Sequence, residues 1–260
     1  MRSGICGLCG RAGILKKSHL LPKSAYKQVR DLPSEGGGSP MRIDMRSGKF
    51  GRTDRQVDAH FLCSHCENQF SKYGEAVVAK FWATPNCFPL LEILNAAVPA
   101  DLTHRRSIFT PNHLCEDLSS AIYYFAMSVF WRAVKWPVPV AGISSCRAVL
   151  KSSEIEGLEA FLMAPHTPLE GFFLVADVNT LLEMSGLMSL PSRIDSKAIA
   201  GMQFEILGIR FMLFVGADLP HELELLKLRF NRYFVIATSD HSESNSTKQI
   251  AKFLHDNDID

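Results

Sequence analysis

Two Cys-x-x-Cys pairs hold most of the chemistry this chain could perform. Cys6 and Cys9 lie in Cys-Gly-Leu-Cys-Gly near the start, and Cys63 and Cys66 in Cys-Ser-His-Cys. A two-residue gap lets both sulfurs of a pair face one point, so two pairs supply the four thiolates of a tetrahedral zinc site. Gly10 follows the second cysteine, and glycine tolerates the left-handed turn that aims backbone N–H groups at sulfur. The alternatives are two disulfides or buried free thiols. A disulfide within Cys-x-x-Cys closes a tight, strained ring, which weighs against the first of these.

Between the pairs runs Ile14-Leu15-Lys16-Lys17-Ser18-His19-Leu20-Leu21-Pro22-Lys23. A knuckle, a strand carrying a histidine before an apolar-Pro step, and a second Cys-x-x-Cys opening a helix together resemble the zinc-bearing HNH endonucleases. The resemblance covers residues 1 to about 82. It implies a treble-clef or ββα-metal fold, with His19 as the general base. That base takes a proton from the water attacking a phosphodiester, while a catalytic Mg²⁺ or Mn²⁺ polarises the phosphate. The family pattern has Asp or His before the base, where this chain has Ser18. It has Asn five residues before the third cysteine, where this chain has Asp58, with His60 nearby. It has His after the fourth cysteine and again four residues on, where this chain has Glu67 and Ser71. Glu67, Asn68 and Asp58 are therefore the residues expected to help hold the catalytic ion. The bland reading of His19 is a hydrogen-bonded histidine at a strand end.

Charge is unevenly spread. The 260 residues carry a net +1, but residues 1–55 hold twelve Lys/Arg and four Asp/Glu, a net +8. The remainder holds sixteen Lys/Arg and twenty-three Asp/Glu, a net −7. A basic module on an acidic body suits a phosphate-rich partner. Lys16, Lys17 and Lys23 flank His19, and Arg42, Arg46, Lys49 and Arg52 fall on a candidate hairpin. These seven are the expected nucleic-acid contacts, with DNA the first candidate; an ordinary solvated basic loop is the alternative.

The elements that must position these groups are partly legible. Ile14–Leu21 reads as a strand stopped by Pro22. Residues 34–40 read as a flexible Gly/Ser/Pro loop. Met41–Met45 and Lys49–Arg52 read as hairpin strands around Ser47-Gly48. From Ser64 to Trp82 the spacing of Phe70, Tyr73, Val77 and Phe81 predicts a helix with one apolar stripe. On its other faces Glu75 reads as a surface charge. A boundary at residues 86–89 divides a zinc-binding HNH-like domain, 1–85, from an α+β domain of unknown role, 86–260. In the second part, helices are expected at Leu90–Ala97, Leu114–Trp136 and Ser145–Leu162. Strands are expected at Gly171–Val178, Gly201–Ile206, Ile209–Val215 and Tyr233–Ala237, with a helix at Leu219–Leu228 and a weak helical tail. The fold class is thus α+β: a treble-clef zinc domain followed by helices and an antiparallel sheet. Arg132 and the His104-Arg105-Arg106 cluster read as solvated helix ends, with phosphate contacts the alternative, and His113, His166, His221 and His241 show no ligand spacing.

The odd cysteine number and the lack of a secretory leader favour a reducing cytoplasm. Cys87, Cys115 and Cys146 read as buried small hydrophobes. The longest apolar run is too short and polar to span a bilayer. The leading expectation is an HNH-type metal-dependent endonuclease, of the kind found in bacterial defence or mobile elements. The alternatives are a non-catalytic zinc module binding nucleic acid and a zinc-stabilised interaction protein. Residues 86–260 could mediate homo-oligomerisation or bind a protein partner.

Overall fold

The structure, a computed structural model, describes residues 2–257 apart from 32–36, 46, 168, 183–184, 195–198, 217–218, 220 and 231–232. Three antiparallel strands build the cysteine lobe: β1 (Arg2–Ile5), β2 (Ala12–His19) and β5 (Asp58–Cys63), in the order β1-β2-β5. The helix α1 (Lys23–Gln28) follows β2, with Pro22 at its N-cap. The hairpin β3 (Met41–Asp44) and β4 (Lys49–Arg52) is a separate two-stranded excursion. Of the expected 34–40 loop, residues 34–36 lie outside the described residues.

After Cys63 the chain turns directly into α2 (Ser64–Phe70), a π-helical turn (Ser71–Glu75) and α3 (Ala76–Val78). The expected stripe is corrected here. Cys66, Phe70, Gly74, Val78 and Trp82 point inward, while Tyr73, Val77 and Phe81 are only half-buried. Residues four apart drift by about 40° on an α-helix. The wider π turn absorbs that drift, so a strict step of four stays on one face. Gly74 is its fourth residue, where a Cβ would meet the Phe125 Cα at 3.0 Å.

The rest of the chain supplies α4 (Pro89–Asn95), β6 (Asp101–Leu102), β7 (Ser107–Phe109), α5 (Glu116–Lys135), α6 (Ser152–Met163), β8 (Phe172–Asn179), β9 (Met188–Arg193), β10 (Gly201–Ile206), β11 (Ile209–Val215), α7 (His221–Phe230), β12 (Phe234–Ser239) and α8 (Asn245–Asp256). Its strands form one seven-stranded sheet, β6-β7-β12-β8-β11-β10-β9. The sheet is mixed rather than antiparallel, because β12 runs parallel to β8. The expected helix from Ser145 is also corrected. A 3₁₀ segment (Ile143–Ala148) precedes α6, and Glu154 Oε2 accepts from the Lys151 N–H at 2.7 Å to start α6 afresh. A Leu207-Gly208 loop joins β10 to β11, both residues with positive φ, as a two-residue I′-type loop requires.

The central helix α5 lies between the cysteine lobe and the sheet. Trp131 stacks on Phe61 of β5 at 5.2 Å and meets Phe70 edge-on at 5.8 Å. On the other side Phe125 and Phe130 pack against Phe204 and Phe211 of β10 and β11. The opposite face of the sheet is covered by α7. With both faces covered, β8 is buried along its whole length. The main core is continuous across residue 85, running from Cys6 to Ile236. Among the described residues no helix is long and apolar enough to cross a membrane.

Candidate metal centre and nucleic-acid face

The β1–β2 turn and the β5–α2 junction bring the four cysteines together. Their ligand atoms all lie within 4.8 Å of one another, and Cys9 Sγ stands 3.9 Å from Cys63 Sγ. Zinc–sulfur bonds of about 2.3 Å set tetrahedral sulfurs about 3.8 Å apart. No disulfide links any of them. Gly10, with φ +68°, closes the knuckle by donating to the Cys6 carbonyl at 3.0 Å, and the Cys63 N–H reaches Cys6 Sγ at 3.3 Å. Burial pushes the Cys6 thiol up, but N–H groups of Cys63, Cys9 and Leu8 outweigh it and bring the thiol down to about 7. Burial, with the other thiols crowding in, pushes Cys66 up. One thiolate is thus provided for by the backbone, and a cation would favour ionisation of Cys66. This is a zinc-type Cys₄ cluster, as expected. Of the remaining cysteines only Cys146 is fully buried; Cys87 is half-buried against the Thr84 hydroxyl at 3.2 Å, and Cys115 is exposed.

His19 ends β2 directly opposite Asp58 on β5. Asp58 also takes an ion pair from Lys17 at 3.1 Å, so Lys17, His19 and Asp58 share one face. Half-burial lowers the His19 pKa, with Asp58 opposing and Lys23 and Lys17 assisting. Ser18 points the other way, as a strand's period of two requires. It is fully buried and accepts from the Leu62 N–H at 3.2 Å; burial pushes the Glu67 carboxyl above its ordinary value, with a bond from Ser18 opposing. Glu67 therefore keeps company with Ser18, and the helix carboxylate felt by His19 is Glu75. One Glu67 oxygen, Oε1, is buried without a hydrogen-bond partner. Asn68 is exposed. Among the described residues no second group of three His, Cys, Asp or Glu side chains gathers as closely as the four cysteines.

Arg132 overturns its solvated reading. It is 2% exposed. Its Nη1 donates to the His19 carbonyl at 2.7 Å and its Nη2 to Glu75 Oε1 at 2.7 Å. Ser128 and the Phe70 ring complete its surroundings. Glu75 is thus an ion-pair partner and not a free surface charge. The signal was present: a lone cation amid the apolar run Ile122–Val134 demands a buried acceptor.

Comparison with protein-family models, curated proteins and solved structures found no match.

Of the expected nucleic-acid contacts, Lys16, Lys17 and Lys23 are exposed around the His19 end of the lobe. Arg42, Lys49 and Arg52 are exposed on the hairpin, and Arg46 lies outside the described residues. Arg52 is partly spent, bonding Asp31 at 2.5 Å and the Ser39 carbonyl at 2.8 Å. Arg30 is paired with Asp54. The hairpin also touches the body, since Phe50 meets Phe253 of α8 edge-on at 5.8 Å.

A second group of charges, unread from the sequence, sits where the parallel strands β8 and β12 end. His241 Nδ1 lies 3.2 Å from Glu205 Oε1, and its Nε2 faces Asp177 Oδ1 at 3.7 Å, a charge contact rather than a hydrogen bond. Arg210 bonds Glu205 at 3.0 Å and reaches Ser244 at 3.1 Å at the start of α8. Ser239 donates to Asp177 at 2.8 Å. The signal here was an aspartate inside the apolar run Phe172–Val178.

Proposed function

We propose that the chain cleaves phosphodiester bonds of nucleic acid, DNA first, as an HNH-type endonuclease on a zinc-held treble-clef lobe. One observation carries the reading: His19 and Asp58 face each other at the paired ends of β2 and β5, on a lobe with a Cys₄ knuckle. In this reading zinc is structural and stays outside the reaction. The neutral His19 imidazole takes a proton from water, which attacks phosphorus as the ester oxygen leaves. Asp58 steadies the imidazolium so formed. Lys17 and Lys23 draw the phosphate to this face. The free thiols suit a reducing compartment such as the cytoplasm.

Mg²⁺ or Mn²⁺, when bound in such sites, neutralises charge on the phosphate. The residues here fit such an ion incompletely. The buried, unpartnered Glu67 oxygen invites a cation, but Asp58 is engaged by Lys17 and Ser18 is sealed in the core. No step above depends on that ion. The missing second ligand group favours one other reading, a non-catalytic zinc module that binds nucleic acid. Cleavage assays on single- and double-stranded DNA and RNA with Mg²⁺, Mn²⁺ and Ni²⁺ decide between them. His19→Ala should reduce cleavage about 10²–10⁴-fold with zinc content unchanged. Retained binding without cleavage under every condition makes the module the better reading.

A further inference from the structure

The helix α7 seals the sheet with Leu223, Leu226 and Phe230 but turns two other leucines outward. Leu225 is 51% exposed and Leu228 71%. An ion pair from Arg229 to Asp101 at 2.5 Å sets the edge strand β6 alongside. Leu225 and Leu228 are three residues apart and so adjoin on one exposed face of the helix. The charges around them have an order. Exposed Glu222 lies in the first turn of α7 and exposed Arg229 in the last. They are seven residues apart, about two turns, and so occupy the same flank beside the leucines.

We infer that α7 is the centre of a two-fold interface with a second copy of this chain. A two-fold axis across a helix face makes the pair antiparallel and sets like flank against like flank. Each Glu222 then meets the other copy's Arg229, and Leu225 and Leu228 close against their counterparts between the two ion pairs. A helix with the same charge at both ends would repel its own copy in this arrangement; this one attracts it. The guanidinium has five N–H donors, enough to serve Asp101 and the incoming Glu222 together. Exposed ion pairs add little affinity, so the leucines supply the attraction and the charges set register and direction. The inference does not depend on the nuclease reading.

Sedimentation velocity on the full chain over a dilution series tests it. Wild type should show a concentration-dependent dimer. Leu225→Glu with Leu228→Glu, both surface changes, should weaken dimerisation by about tenfold or more while secondary structure and zinc content hold. Glu222→Arg alone and Arg229→Glu alone should each weaken self-association, since each sets like charges together. Mixed in equal amounts, the two variants should associate with each other, because both cross pairs become opposite in charge. A chain monomeric throughout, which would leave this face to solvent or another protein, overturns the inference. So does a dimer indifferent to the leucine changes, or a mixture no more associated than its parts.

Discussion

Arg132 Nη1 donates to the carbonyl oxygen of His19 at 2.7 Å, across 113 residues of chain. The central helix thereby holds the strand end that carries the candidate base, and with its Nη2 holds Glu75 just beyond the zinc-cluster helix. Arg132→Met leaves a buried carboxylate and a carbonyl without their donor. The expected loss is roughly 3 kcal/mol, the low end for breaking a buried pair, because Glu75 keeps some contact with water. Arg132→Lys should recover part of it, since one ammonium cannot span both acceptors. Adding Glu75→Gln to Arg132→Met should cost less than the two changes summed. Urea unfolding of the four variants gives that cycle; strict additivity would mean the pair is not coupled.

Zinc removal should be visible from inside the core. Phe61 lies two residues before Cys63 and stacks on Trp131, with Trp136 edge-on at 5.6 Å. Loss of the ion frees β5 and α2 from each other and opens this aromatic contact. Metal analysis should find one zinc per chain, and strong chelation should change tryptophan emission in step with zinc release. Unchanged emission after full removal would show that the knuckle does not support the core.

Nucleic-acid affinity should fall steeply with salt, as each neutralised phosphate releases condensed counterion. Replacing Lys16, Lys17 and Lys23 together by Gln should weaken binding to all sequences alike and flatten the salt slope by up to about three contacts. Filter binding at several salt concentrations checks both. Equal slopes for wild type and triple variant would move the binding face elsewhere, to the hairpin first.

The charge network under α8 predicts a pH dependence. Burial disfavours charge on His241, but the Asp177 and Glu205 carboxylates outweigh it and hold the imidazole above its ordinary value. Burial likewise opposes charge on Asp177 and Glu205, yet His241, with Arg106 near the first and Arg210 near the second, holds both below theirs. The His241 contribution to stability is therefore complete below about pH 6.5 and is lost as pH rises through the raised value. The carboxylate contributions are complete above about pH 4.5 and are lost as pH falls through the lowered values. The three titrate as one coupled group. Denaturant unfolding between pH 6 and 9 should show stability falling for wild type and falling less for His241→Gln. The same slope in both would exclude the network as its source.

The sequence shows best what is local. Two Cys-x-x-Cys pairs, the Leu207-Gly208 loop between apolar runs, and the long apolar run of α5 each declare themselves within a few residues. What it hides depends on partners far along the chain. Nothing near residues 234–239 says that β12 will slot parallel beside β8 rather than pair with a sequence neighbour. Arg132 looks like a helix-end charge until β2 and the π turn are brought to it. His19 and Glu67 look like partners in the linear pattern, and alternation along the strand separates them by giving Ser18 to Glu67. The hairpin's basic residues are legible as a cluster, but Asp31, which engages Arg52, comes from a separate loop.

The π turn at Ser71–Glu75 also decides where this chain can tolerate changes in length. It carries the surplus residue that keeps Cys66 and Phe70 before it in phase with Val78 and Trp82 after it. Removing one residue there would restore an ordinary helix and place Val78 seven positions after Phe70, within about 20° of its phase. Val78 and Trp82 would stay inward, whereas one residue fewer inside α2 (Ser64–Phe70) would turn Phe70 and everything after it by about 100° from Cys66. Deletion scanning should therefore find Ser64–Phe70 far less forgiving than the π turn that continues the same helix.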